Sequence, residues 1–197
     1  FRRVLFRSFP ISEVGVTTVK ATLGAAFLNQ AILAGLVGIL LVFAFMLLHY
    51  RLAGGVANAA LLFYMVIVLA IFRVIPVTLT LAGIAGFVLS IGMAVDANIL
   101  IFERTKEELR IGKRVAPAVE AGFSRAWNSI LDSNVSSLIT AFILFYFGSS
   151  TIKGFALVLI IGVLCSMFTA VTVTRLILRS LIHQERFSSP YLYGVGA

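Results

Sequence analysis

Long apolar runs separated by short polar breaks are the most regular feature of the chain. Phe27 to Leu48 holds no charged residue; His49, Tyr50 and Arg51 interrupt it, and Leu52 to Phe72 follows, ending at Arg73 with Pro76 marking a turn. A third run, Val77 to Phe102, is uncharged except for Asp96. After a polar stretch from Glu103 to Asn128 come a fourth run, Ile130 to Phe147, and a fifth, Ile152 to Leu178. A helix needs about 20 apolar residues to cross about 30 Å of hydrocarbon. The pattern therefore predicts an all-α membrane protein, a bundle of five transmembrane helices over 27–48, 52–72, 77–102, 130–147 and 152–178. Residues 1–26 then end an extracytoplasmic region or linker, and 179–197 form a cytoplasmic tail.

The polar stretch has structure of its own. Glu103 and Lys106, and Arg104 and Glu107, are spaced to pair on a helix that continues the third run, and Gly112 is placed to end it. From Ala116 to Ile130 the apolar residues Val119, Phe123, Trp127 and Ile130 recur at helical spacing, which predicts a separate short amphipathic helix at the interface. Basic residues concentrate here (Arg104, Lys106, Arg110, Lys113, Arg114, Arg125), in the tail (Arg179, Arg186) and at Arg51. With five crossings these three segments share one side, which the positive-inside rule assigns to the cytoplasm. Arg2, Arg3, Arg7 and Lys20 then fall outside, which is tolerated if a long translocated domain and an earlier span precede the chain; that the chain begins at Phe1 and not Met fits a piece of a longer protein.

Composition agrees. Of 197 residues 60% are hydrophobic and 12% charged, with mean hydropathy +1.07, whereas a soluble domain carries about 25% charged residues. The net charge of +8 belongs to the loops between apolar runs, and no basic face with aromatics outside those runs suggests nucleic acid. The single cysteine, Cys165, has no internal partner, and His49 and His183 lie far from each other and from any cysteine or carboxylate cluster, so neither a metal nor a cofactor is expected. No motif for covalent or metal catalysis is present.

Candidate chemistry centres on Asp96. Seven residues before Glu103, it lies about 10 Å inside the charged boundary, in the near half of its span. An ionised carboxylate at the centre of a membrane helix costs about 2.5 to 3.5 kcal/mol, and such groups face the bundle interior and serve ion or proton pathways. Asp96 is therefore expected to be a buried proton carrier. The face formed by Asn134, Ser137, Thr140 and Ala141 on the fourth run is the expected polar support, since such faces hydrogen-bond across bundles. Gly83, Gly86, Ser90 and Gly92 on the third run, and Gly162, Ser166 and Ala170 on the fifth, read as small residues for close helix packing. Asp132 opens the fourth run, where an aspartate is a natural N-cap; the rival reading, a proton-sharing pair with Asp96 as in an intramembrane aspartyl protease, requires the two to meet.

The block Gly92-Met93-Ala94-Val95-Asp96-Ala97-Asn98-Ile99-Leu100-Ile101-Phe102-Glu103-Arg104 resembles the signature of the SecD branch of the SecD/SecF family, in the resistance-nodulation-division (RND) superfamily. Leu79-Thr80-Leu81, Gly83-Ile84-Ala85-Gly86, Ala121-Gly122-Phe123, Asp132, Asn134, Lys153-Gly154-Phe155-Ala156, Ser166-Met167-Phe168-Thr169-Ala170 and Thr174-Arg175 extend the resemblance from about Gly24 to Leu178. Ala82, Ser136, Ser137, Ser149 and Ser150 depart from the family pattern without touching Asp96. The resemblance implies the last five spans of such a subunit, half of an RND-type transmembrane core. It also implies a place in the bacterial inner membrane, SecF, the SecYEG translocon, exported unfolded preproteins and lipids as partners, and use of the proton motive force through Asp96. A small-molecule or lipid exporter of the same superfamily is the alternative.

Overall fold

The computed structural model describes residues 21–75, 80–182 and 190–193. The basic stretch 1–20, the turn at Pro76 with the start of the third run, and His183 and Arg186 lie outside the described residues. Four helices there are long and apolar enough to cross a membrane. These are α1 (Ala21–Val74), α2 (Leu81–Arg110), α3 (Val115–Phe147) and a last helix in three parts. The last comprises α4 (Ser150–Phe168), a π-helical turn at Thr169–Val173 and α5 (Thr174–Ile182), followed by a 3₁₀ turn at Pro190–Tyr193.

The first two apolar runs are two limbs of α1. Only Arg51, at φ 50° and ψ −115°, leaves helical geometry between them. The limbs fold back on each other there. Asn58 Nδ2 donates to the Phe43 carbonyl at 3.1 Å, whereas 15 residues of straight helix would separate them by about 22 Å. A Cβ on Gly54 would overlap the Met46 carbonyl, so glycine is what lets the limbs touch. Arg51 Nη1 donates to the Tyr191 carbonyl at 3.0 Å, and its guanidinium lies 3.8 Å from the Tyr191 ring centre.

α2 is the central helix, packed against α1, α3 and α4. Thr80 caps it, its hydroxyl oxygen accepting from the Gly83 N–H at 3.1 Å. At about 45 Å its 30 residues outreach the hydrocarbon, and the end from Glu103 to Arg110 projects beyond it. Gly112, at φ +91°, ends it in a Schellman turn: Gly112 N–H bonds Leu109 O at 3.0 Å and Lys113 N–H bonds Glu108 O at 3.3 Å.

α3 corrects two expectations. The segment 116–130 is no separate amphipathic helix but the first half of one continuous helix from Val115. Asp132 consequently sits in mid-helix, exposed, and caps nothing. The helix passes unbroken through its polar middle because the side chains there bond to its own backbone. Asn134 Nδ2 donates to Ile130 O at 2.7 Å, and Ser136 Oγ to Asp132 O and Ser137 Oγ to Ser133 O at 2.9 Å each.

The core between α1, α2 and α4 closes around Tyr64, which is fully buried. Its hydroxyl donates to Ser90 Oγ at 2.6 Å, and Ser90 Oγ donates in turn to Phe87 O at 2.7 Å. A Cβ on Gly162 would lie 2.6 Å from Ser90 Oγ and 3.0 Å from the Tyr64 hydroxyl, so three helices meet where α4 has no side chain. Gly86 lies against Phe155 and Gly83 against Val158, and Ser166 is buried with its hydroxyl on Val163 O. Gly92 differs: a Cβ there would meet nothing within 4 Å, so the close packing expected of it is absent among the described residues. Between α2 and α3 the tight spot is Gly122, where a Cβ would lie 2.9 Å from Thr105 N and 3.1 Å from Ile101 O. Large apolar side chains cover the outside, Leu40, Leu48, Phe142 and Phe147 among them, as lipid-facing surfaces require.

The polar segment beyond the apolar runs is held by ion pairs. Lys106–Glu103 at 3.1 Å and Arg104–Glu107 at 2.8 Å form as the spacing predicts. The Glu108 side chain, only 1% exposed, pairs with Lys113 and, at 2.7 Å, with Arg125. The bond from Lys113 holds its carboxyl below the usual range, with Arg125 adding to the effect. Glu120 on α3 pairs with Arg179 and Arg175 on α5, and the two bonds bring its carboxyl down to about 2.

Candidate functional site

Asp96 stands on the face of α2 opposite the one buried in the bundle. The buried face carries Ala94, Ala97, Asn98 and Ile101, while Asp96 is exposed, which corrects the expectation of a buried carboxylate. The reason is rotation about α2: a residue two positions from Asn98 on a helix points to the other side. Among the described residues Asp96 has no hydrogen bond and no ion pair, although it lies at a level where its neighbours Met93, Val95 and Ile99 are apolar.

Two grooves flank it. One, of about 420 Å³, lies between α2 and α3; Asp96, Ala97 and Glu103 line it from α2 and Ser133, Asn134 and Ser137 from α3. The other, of about 350 Å³, lies between α2 and the first limb of α1, where Leu41, Val42 and Phe45 face Val95 and Asp96. Asp96 is thus the ridge between a partly polar groove and an apolar one.

Of the expected supporting face, Asn134 and Ser137 share the Asp96 groove. Asn134 spends its amide N–H on its own helix. Thr140 is exposed, donates to Ser136 O at 3.0 Å and is not part of the groove wall. Asp132 lines neither groove, so no aspartate pair forms the site.

The remaining residues of the block divide between faces. Asn98 is buried behind Asp96, where its Oδ1 accepts from Thr174 Oγ1 at 2.8 Å and its Nδ2 donates to Ala94 O at 3.2 Å. Thr174 received no role from the sequence beyond its place in the resemblance. Glu103, two helical turns from Asp96, lies on the same groove, with His49 Nε2 3.9 Å from its carboxylate. The seven-residue spacing places both carboxylates on one stripe and was readable in the sequence. Arg104 is turned away, paired with Glu107.

A bundle of long apolar helices with an apolar exterior has the make-up of an integral membrane protein. Comparison with known proteins makes this specific. Residues 4–184 match the family described as "Protein export membrane protein SecD/SecF, C-terminal", and the chain belongs to that family. It is 52% identical over 193 residues to the protein translocase subunit SecD of Thermobaculum terrenum, covering 96% of this chain and 38% of that one. The SecD of a Synechocystis species is 56% identical over 174 residues, 88% of this chain and 37% of the relative. The chain therefore spans about two fifths of the length of the curated relatives it matches, corresponding to the C-terminal membrane portion of SecD. Among solved structures, a Thermus SecDF described as a translocon-associated membrane protein superposes with a TM-score of 0.82 at 37% identity, over 85% of this chain and 24% of that one. A second SecDF structure, in a super-membrane-facing form, gives 0.78 at 38% identity over 83% of this chain and 22% of that one. Relatives named as translocase subunits leave the small-molecule or lipid exporter without support.

Proposed function

We propose that this chain is half of the transmembrane core of a proton-driven export subunit, which works with SecF to promote passage of unfolded preproteins through the SecYEG translocon. The observation that carries the reading is the position of Asp96, an unpartnered carboxylate on the ridge between two grooves. A carboxylate can carry one proton, and Asp96 opens onto both grooves. Loading and unloading that proton switches a local charge, and a few kcal/mol of switched charge suffices to bias two packings of a bundle. Glu103, with His49 beside it, sits on the charged side of the same groove, suited to passing protons between water and Asp96.

On this reading the two limbs of α1 cross separately, making five crossings with the preceding chain outside and the α5 end in the cytoplasm. The basic segments at Arg51, at 104–125 and beyond Arg175 then share the cytoplasmic side. Motion of the helices beside Asp96 would be passed to an outer domain upstream.

The test is protein export into membrane vesicles by the full-length protein with its SecF partner, comparing wild type with Asp96→Asn. The amide keeps the shape and removes titration. Export should lose its dependence on the proton gradient while the complex still assembles. Export that stays fully gradient-dependent would show Asp96 to be structural and overturn the proposal.

A further inference from the structure

On the other side of Ile130 lies a groove that proton transfer does not use. It measures about 340 Å³ and is enclosed by α2, α3 and the last helix. Ile130 is a wall of both this groove and the Asp96 groove. Its walls fall into two zones. Ile101, Phe123, Ile130 and Val171 are apolar; Ser124, Trp127 and Arg175 are polar or amphipathic, with the Arg175 guanidinium 5.7 Å from the Phe123 ring centre. The division follows the chain: α2 turns from apolar to charged at Glu103 and the last helix from apolar to charged at Arg175. Both changes occur beside this groove, so it straddles the boundary between hydrocarbon and headgroups.

The polar zone is suited to a phosphate. Arg175 gives Nη2 to Glu120, but its Nη1, on a side chain 39% exposed, has no acceptor among the described residues. A phosphate oxygen would supply that acceptor, and arginine binds phosphate through paired N–H groups. Ser124 and Trp127 are exposed three residues apart on one face of α3, and both line the groove. An indole at this level is the side chain that membrane interfaces favour. The π-helical turn brings Val171 and Arg175 to the groove together: the Thr174 N–H bonds Thr169 O, five residues back, and this wide turn sets the rotation of everything after it.

We propose that this groove binds one anionic phospholipid, with its phosphate on Arg175 and Ser124, Trp127 beside the glycerol region, and the acyl chains along Ile101, Ile130 and Val171. The proposal is independent of the role of Asp96; it requires only that the chain lies in a membrane.

Trp127 is the sole tryptophan of the chain and lines the groove, so it reports occupancy directly. The full-length protein, with any tryptophan outside this segment replaced by phenylalanine, would be reconstituted in vesicles containing graded fractions of acyl-brominated phosphatidylglycerol or acyl-brominated phosphatidylcholine. Half-maximal quenching should occur at a roughly fivefold lower mole fraction of the phosphatidylglycerol, the scale of one basic side chain meeting one anionic headgroup. Excess unbrominated phosphatidylglycerol should reverse it. Arg175→Gln should equalise the two lipids, whereas Arg110→Gln, which removes a basic side chain away from the groove, should keep the preference. Equal quenching by both lipids in the wild type overturns the proposal without reliance on any variant, and so does a preference that survives Arg175→Gln. Displacement of the brominated lipid by millimolar glycerol 1-phosphate also overturns it, since that would mark a site for a free phosphate ester.

Discussion

Thr174 donates its hydroxyl to Asn98 Oδ1 across 2.8 Å, joining residues 76 positions apart in the sequence and burying both. The bond links the last helix, at the end of its π-helical turn, to the stretch of α2 that carries Asp96. Removing the donor leaves a buried amide oxygen unsatisfied, at a cost of about 1–3 kcal/mol. Thr174→Val should therefore lower stability by about that amount, read from unfolding in detergent by circular dichroism. Thr174→Ser, which keeps the hydroxyl, should stay close to wild type. Equal losses in the two variants would assign the effect to packing of the methyl group.

Gly162 and Gly92 should respond in opposite ways to the same substitution. Gly162→Ala drives a methyl into Ser90 and the Tyr64 hydroxyl, and overpacking of this kind costs about 1–3 kcal/mol. Adding Ser90→Gly should restore part of the loss. Gly92→Ala meets nothing within 4 Å and should gain up to about 1 kcal/mol from helix propensity. Thermal unfolding of the three variants in one detergent decides the matter, and a Gly92→Ala as damaging as Gly162→Ala would show that something outside this chain packs there.

Glu120 sets a pH dependence. Its folded-state carboxyl is held at about 2 by the bonds from Arg179 and Arg175, below the ordinary value of 4.5. A depressed carboxylate contributes stability that is complete above its unfolded value and is lost as pH falls through its folded value. The melting-temperature difference between wild type and Glu120→Gln should therefore be largest above pH 4.5 and shrink towards pH 2. A difference constant across that window would mean the ion pairs add nothing to stability.

Arg51 has a backbone conformation, φ 50° and ψ −115°, that side chains with a Cβ rarely adopt, and such strain costs about 1–3 kcal/mol. Glycine relieves it but loses the exposed hydrogen bond and cation–π contact to Tyr191, together worth about 1 kcal/mol. Arg51→Gly should be at least as stable as wild type by thermal unfolding. A clear loss would show that the anchor to Tyr191 outweighs the strain.

These sites separate what the sequence reveals from what it hides. The apolar runs located the helices, and the block around Asp96 carried the family, because hydrocarbon thickness and a dense motif are both written locally. Continuity of α3 was hidden: Ala116 to Ile130 read as a separate amphipathic helix and Ile130 to Phe147 as a span, yet one helix runs through both, its polar residues bonded to its own backbone. The exposure of Asp96 was hidden for another reason, since a sequence shows the expense of a carboxylate but not which neighbours cover it. Tyr64–Ser90, Asn98–Thr174 and Glu120–Arg175 join distant runs, and no local pattern announces such pairs.

The reversal at Arg51 takes one residue out of helical geometry, so the two limbs of α1 are joined by a tether with no slack. At that end the first limb is fastened twice, by Asn58 to Phe43 O and by Arg51 to the turn at Pro190–Tyr193. Gly35, which touches Val88 of α2, lies 16 residues away, about 24 Å along the helix. The limb is thus fastened at its Arg51 end and meets α2 again at Gly35, and between those points Leu41, Val42 and Phe45 face the Asp96 ridge, so the width of the apolar groove is set from both ends.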